Sequence, residues 1–205
     1  MKRFVDIVIA SIAILFLSPV FLFVAYKVRK HLGSPIFFCQ ERPGKDGKIF
    51  KMIKFRSMNN ALDSQGNLLP DEQRITSFGQ KLRATTLDEM PQLFNVLKGD
   101  MSIVGPRPQM PEFLEYYTTD QMRRHEVKPG MTGLAQVSGR NNLSWEEKFN
   151  LDVQYVENHN ILLDFKIMLK TVDVMLKREG INAPNQTVGS SRFTGSESQS
   201  GSIVK

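Results

Sequence analysis

The sequence predicts a mostly helical α/β chain: an apolar N-terminal membrane helix, then a small globular domain with a short β-hairpin. Three observations carry that expectation. Residues Ile7 to Tyr26 hold no charge, and about 20 apolar residues are what a helix needs to cross a bilayer. Ile49 to Met58 partly alternates apolar with basic side chains behind a polar turn, the pattern of a half-buried strand. Leu93, Phe94 and Leu97, and later Ile161 to Arg178, repeat apolar residues at helical spacing.

The N-terminal segment lacks the marks of a cleaved signal. Its apolar run is long, and Lys27, Arg29 and Lys30 follow where small residues would mark a cleavage site. A plain spanning helix is the default reading, and two features compete with it. Lys2 and Arg3 precede the run while Lys27, Arg29 and Lys30 follow it, so the positive-inside tendency draws both ends to the cytoplasm. Ser18-Pro19 sits in mid-run, where proline deletes a helical hydrogen bond and favours a bend. The serine hydroxyl can satisfy the carbonyl so freed. A helix that enters, bends at Pro19 and returns answers both features, but proline-kinked spanning helices are also common, and the two readings stay open on the residues alone.

Gly33-Ser34-Pro35 closes this segment, giving a division into residues 1–34, a globular part over 35–181 and a tail over 182–205. Glu41 to Lys48 is a polar turn of hairpin character. Asn59 to Pro70 reads as a surface loop, and Ile75 to Ala84 as a short basic helix that delivers Arg83 ahead of Asp88. Pro91 suits a first helical turn and Gly99 a helix end. The helix between them is therefore expected to begin close to Asp88, with Asp88 and Glu89 in its cap or first turn. Backbone N–H groups there favour an ionised carboxylate, and phosphate beside it. Thr86 to Glu89 also fits an ordinary capping box, which explains the same acidic residues without chemistry.

Gly105-Pro106-Arg107-Pro108 holds Arg107 on a stiff, extended backbone, useful for clamping phosphate, although a solvent-facing loop arginine fits as well. Phe113 to Val127 reads as a helix. Glycines 130, 133 and 139 permit close approach to a ligand or simply tight turns. Ser144 caps a helix carrying Trp145, Phe149, Asp152 and Tyr155. Ile161 to Arg178 either packs into the core or lies amphipathically in the headgroup plane. From Asn182 the composition turns to Ser, Gly, Thr and Gln, and disorder is expected.

A net charge of +6 points to anionic partners: headgroups, nucleic acid or phosphorylated substrates. The single Cys39 excludes an internal disulfide and is expected as a small core residue. The three histidines lack zinc-ligand spacing with a cysteine partner. No phosphate-loop motif, dinucleotide fingerprint or repeat is present.

Five blocks in order carry a resemblance: KFRSM (Lys54 to Met58), LDE (Leu87 to Glu89), QLFNVLKGDMSIVGPRP (Gln92 to Pro108), KPGMTGLAQVSGRN (Lys128 to Asn141) and FNLDVQYV (Phe149 to Val156). Together they resemble the bacterial sugar transferases, small monotopic phosphoglycosyl transferases, over nearly everything from Lys2 to about Gly180. The resemblance implies transfer of a phosphosugar from a UDP-sugar to polyprenol (undecaprenyl) phosphate with release of UMP. It implies Asp88 as nucleophile, forming an aspartyl-phosphosugar intermediate, and Glu89 with Asp88 as ligands of Mg2+. Lys54, Arg83, Arg107 and Arg140 are the expected phosphate-binding residues. Asp152 either orients one of these cations or forms a plain structural ion pair. The resemblance also implies the re-entrant helix bent at Ser18-Pro19, amphipathic interfacial helices, and the cytoplasmic face of a bacterial inner membrane, with phospholipid rather than nucleic acid as surface partner. An N-acetylated sugar, of the di-N-acetylbacillosamine type, is the expected donor. The competing reading is a membrane-anchored basic module that grips nucleic acid or anionic lipid without catalysis.

Overall fold

A computed structural model describes residues 1–139 and 142–177, together with Phe193 and Gly195. Helices dominate, as expected. Helix α1 spans Lys2–Leu32 with Pro19 inside it. The hairpin follows: β1 (Phe37–Pro43) pairs antiparallel with β2 (Ile49–Phe55), from Phe37 opposite Phe55 to Pro43 opposite Ile49. Then come α2 (Asp71–Arg74), α3 (Ser77–Ala84), a 3₁₀ turn at Leu87–Glu89, and α4 (Gln92–Lys98). The remaining elements are β3 (Ser102–Val104), α5 (Thr119–Met122), β4 (Gly130–Thr132), α6 (Leu134–Ser138), α7 (Trp145–Asn158) and α8 (Ile161–Lys177).

Within α1, the Ser18 hydroxyl donates to the Leu15 carbonyl at 2.8 Å. Leu15 is four residues before Pro19, so its carbonyl is the one that the missing proline N–H leaves free. The residue pair thus compensates its own defect locally.

Both ends of α1 are fastened to the globular part, and by charged side chains. Lys2 Nζ bonds Asp164 Oδ2 at 2.5 Å, the Val104 carbonyl at 3.0 Å and the Tyr155 hydroxyl at 3.1 Å. Arg3 donates to the carbonyls of Val96 and Leu97 at the end of α4, where unpaired carbonyls favour a cation. Asp6 accepts from Ser102 Oγ at 2.9 Å and Ile103 N–H at 3.0 Å. At the other end the buried Arg56 guanidinium donates to the carbonyls of Leu32 and Ser34, and His31 stacks on Phe78. Between these anchors Ala10 packs with Met52, Leu93 and Val96, and Val24 and Val28 pack with Phe55, Leu82 and Met90. The opposite face of α1 leaves Phe4, Leu15, Phe16, Leu22, Phe23 and Tyr26 exposed.

Helix α8 has the same division. Ile167 and Val174 are buried, while Leu162, Phe165, Leu169, Val172 and Met175 lie exposed on its other side. Single exposed apolar residues are ordinary; continuous rows on two helices are not.

Several expectations need correction. Phe113 to Val127 is not one helix: Pro111–Glu115 and Arg123–His125 are 3₁₀ turns on either side of the four-residue α5. Pro111 begins the first of these, and Thr118 caps α5 with a capping box, so local signals restart the chain twice. Cys39 is exposed rather than in the core, as are its neighbours Phe37 and Phe38 at the same end of β1. A second strand pair has no signature in the sequence: β3 and β4 run parallel, with Ser102 opposite Gly130 and Val104 opposite Thr132. Three-residue strands are too short for an alternation pattern to register. The cap expected at Ser144 is present, and Glu147 completes it as a capping box. The tail over 182–205 lies outside the described residues apart from Phe193, which is buried among Phe113, Tyr117 and Phe149, and Gly195.

Candidate active site

The site forms where β2, the 3₁₀ turn and the loop after β3 converge. Asn95, buried on α4, ties that helix to β2: its amide donates to the Lys51 carbonyl at 2.8 Å and its oxygen accepts from Ile53 N–H at 3.0 Å. The strand register so fixed delivers Lys54 to Glu89, with Nζ 2.8 Å from Oε1.

Asp88 and Glu89 do not open α4. They occupy a separate 3₁₀ turn, and α4 begins at Gln92 with Pro91 as its cap residue. A capping box is not what holds them. Thr86 makes no side-chain cap bond and sits in the left-handed region, φ 59° and ψ 8°. That conformation is costly for a β-branched residue and is typically tolerated where surroundings impose it, often at functional sites. The Glu89 carboxylate turns to cations instead of to the backbone.

Arg107 grips that carboxylate with both arms: Nη2 lies 2.6 Å from Oε1 and Nη1 3.2 Å from Oε2. The stiffness expected of its loop has a visible source. Gly105 N–H donates to the Thr132 carbonyl and Gly130 N–H to the Pro106 carbonyl, both at 2.9 Å. These backbones meet so closely that a Cβ on Gly130 would lie 2.1 Å from Gly105 N, and one on Gly133 2.2 Å from Gly105 O. The glycines at 130 and 133 therefore admit the backbone of the arginine loop, not a ligand.

The electrostatics separate the two carboxylates. Burial works against the Glu89 charge, but Arg107 and Lys54 outweigh it and hold that carboxyl well below the usual range. Burial, then the neighbouring Glu89, pushes Asp88 up to about 6, against the pull of Lys54, Arg83 and Arg107. Asp88 is only 7% exposed, and among the described residues its carboxylate takes no hydrogen bond and no ion pair. It is an ionisable carboxylate with no hydrogen-bond partner among the described residues, beside a neighbour saturated with them.

Arg83 reaches this field from α3, where its Nε donates to Ser57 Oγ at 2.9 Å. Arg140 lies outside the described residues. Among the described residues Asp152 pairs with none of Lys54, Arg83 and Arg107; its partner is the buried Arg124. Sequence reading misses Arg124 because nothing along the chain distinguishes it from the half-buried Arg123 beside it. It also passed over Arg42, on β1, whose field includes Arg107, Glu112 and Glu89 and whose guanidinium burial pushes down to about 10. The strand pairing alone brings Arg42 here, so no local signal existed for it.

Two carboxylates of unequal basicity, ringed by fixed cations and set beside a long apolar helix, define a transferase that handles phosphate. The chain belongs to the bacterial sugar transferase family, whose model matches residues 1–178. It is 52% identical to a Bacillus subtilis protein described as an uncharacterized sugar transferase, EpsL, over 96% of both chains. It is 41% identical to the undecaprenyl-phosphate galactose phosphotransferase of Salmonella typhimurium, over 88% of this chain and 41% of that protein. It is 40% identical to the UDP-glucose:undecaprenyl-phosphate glucose-1-phosphate transferase of Klebsiella pneumoniae, over 83% of this chain and 39% of that protein. The chain thus spans about two fifths of the latter two relatives.

Proposed function

We propose that this phosphoglycosyl transferase moves a phosphosugar from a UDP-sugar to polyprenol phosphate at the cytoplasmic face of a bacterial inner membrane. The observation that carries this reading is the buried Asp88, without a hydrogen-bond partner among the described residues, beside a Glu89 already bound to Lys54 and Arg107. An Asp88 oxygen attacks the sugar-bearing phosphorus, the bond to the other phosphate breaks, and UMP leaves. An oxygen of polyprenol phosphate then attacks the same phosphorus, the aspartyl bond breaks, and Asp88 returns as carboxylate with the sugar on a polyprenol diphosphate. Lys54, Arg83 and Arg107 offset the phosphate charge throughout, and Arg140 joins them by its place in the family block.

The resemblance also implies magnesium. Among the described residues no three His, Cys, Asp or Glu side chains cluster to cage a metal. That fits an ion which takes one or two carboxylates and completes its shell with phosphate oxygens and water. Asp88 and Glu89 would hold it, the Glu89 oxygens being shared with Arg107. Bound there, it would neutralise charge on the diphosphate.

A binding module without chemistry is disfavoured by the same pair of carboxylates: anionic lipid or nucleic acid gains nothing from Asp88. The test is direct. Detergent-solubilised protein with Mg2+ and polyprenol phosphate is given UDP-linked N-acetylglucosamine, N-acetylgalactosamine, di-N-acetylbacillosamine, galactose and glucose in turn. UMP release with one of them is expected, and none with any removes the enzyme reading. An N-acetylated donor, of the di-N-acetylbacillosamine type, is our expectation; release confined to galactose or glucose, the sugars in the relatives' names, would replace it.

The helix α1 we read as re-entrant. A 31-residue helix is about 46 Å long at 1.5 Å per residue, yet both its ends are bolted to one globular domain. A spanning arrangement would separate those anchors across the bilayer. The exposed apolar rows on α1 and α8 then face lipid, and set the site at headgroup depth where the acceptor's phosphate lies. With Cys39 replaced by serine, cysteine tags before Lys2 and after Lys30 are expected to react with an impermeant reagent from the same side. Reaction from opposite sides would establish a spanning helix.

A further inference from the structure

The loop that carries Arg107 has a difficulty built into its sequence. Pro106 and Pro108 lack N–H groups, so the loop is anchored mainly through its carbonyls. Gly130 N–H takes the Pro106 carbonyl. The next carbonyl, that of Arg107 itself, accepts from a side chain: Arg124 Nη2 at 2.7 Å.

Arg124 is held from every direction. Its Nε and Nη2 donate to Asp152 Oδ2 at 3.1 and 2.6 Å, and its Nη1 donates to the Tyr117 hydroxyl at 2.8 Å. Its guanidinium carbon lies 5.5 Å from the Tyr117 ring centre and 5.3 Å from that of Phe149. The Arg124 and Asp152 side chains are 1% and 3% exposed. A buried ion pair costs desolvation of both charges and is weak support for stability. A pair retained behind a functional loop therefore asks for another purpose.

We infer that Arg124, fixed by Asp152 and Tyr117, is a positioning residue: it holds the Arg107 carbonyl and thereby aims the Arg107 guanidinium at Glu89 and the substrate phosphate. This rests on the proposed transfer reaction and extends it to residues that never meet substrate. A planar guanidinium is required because three acceptors in different directions, Asp152, Tyr117 and the Arg107 carbonyl, are bound at once. Misplacement of a phosphate-binding group by about 1 Å can cost on the order of 100-fold in rate.

The experiment replaces the pair by apolar residues of similar volume, Arg124→Met with Asp152→Leu, and follows thermal melting and UMP release. Such replacements often leave a fold as stable or more so. The expected result is a melting temperature at or above that of the wild type, with kcat lowered about 100-fold. Arg107→Ala, costly in the wild type, should add less than tenfold in the double variant, because an arginine already misaimed has little left to lose. Should the apolar pair fail to fold, Arg124→Lys decides: it keeps a charge for Asp152 but not the three-way fork, and a folded protein of reduced kcat is expected. Wild-type kcat in a folded variant, or an undiminished cost of Arg107→Ala, would make the pair purely structural and overturn the inference alone. A wild-type protein that releases no UMP would overturn this inference together with the reaction it rests on.

Discussion

Asp88→Asn is expected to abolish UMP release, a loss limited only by assay background, and at the same time to raise the melting temperature. The two effects share one cause. Burial and Glu89 push the Asp88 carboxyl up to about 6, so its proton is bound more tightly in the folded chain than in the unfolded one. A group of that kind favours the fold at low pH, and the advantage fades as pH rises from about 4 through 6. Above pH 6 the charged carboxylate is held against the preference of its surroundings. A shift of about two units corresponds to roughly 2–3 kcal/mol, which asparagine, uncharged at every pH, would release. Calorimetry at pH 7.5 should give a melting temperature several degrees above the wild type. Below the ordinary carboxylate value, at about pH 3, the side chains are neutral in both the folded and the unfolded chain, and the difference should vanish. In the wild type, release should fall as pH drops through about 6, well above the range of an ordinary carboxylate. An unchanged turnover in the asparagine variant would remove Asp88 from the chemistry, whatever its effect on melting.

The second large effect belongs to Glu89→Gln. The glutamine amide presents donors toward Lys54 and Arg107, which are themselves donors, so the fork from Arg107 must open and the Lys54 ammonium loses its counter-charge. Loss of kcat by about 100- to 1,000-fold is expected, the scale of removing a fixed electrostatic contact to a reacting phosphate. The residual activity carries a further signature. Glu89 is one of the groups that raise Asp88, so its neutralisation lowers the Asp88 carboxyl, and the acid limb of the pH profile should move below 6. An acid limb that stays at 6 in this variant would mean that the two carboxylates are not coupled as their geometry requires. Lysine at position 54 sets a limit on compensation: burial already lowers its own affinity for a proton despite Glu89, and without that carboxylate it is expected to titrate lower still.

What could be read in the chain before folding was local or ordered. The uncharged run of α1 and the serine beside Pro19 concern bonds within a few residues of each other. The Gly99 stop and the Ser144 cap are likewise decided by adjacent backbone. Family blocks named Asp88, Glu89, Lys54 and Arg107 because order along the chain is itself information. By contrast, the same local logic misled at Thr86, where a capping-box pattern met a left-handed backbone and formed no cap. It also misled at the start of α4, since a 3₁₀ turn and an α-helical first turn share the same acidic preferences.

The sequence alone determined that the chain has a bilayer-length apolar helix, a basic surface, and an acidic pair set between a helix and a proline-stiffened arginine loop. Only the tertiary structure decided which cations the pair meets, and that among the described residues Glu89 is saturated while Asp88 has no hydrogen-bond partner. It alone revealed that Lys2, Arg3 and Arg56 lock both ends of α1 to one domain, and that Arg124 stands behind Arg107. The physical reason is distance along the chain. Hydrogen bonds such as Lys2 to Asp164 or Arg124 to Asp152 join residues far apart in sequence, and a side chain's periodicity or charge says nothing about a partner that only packing brings within 3 Å.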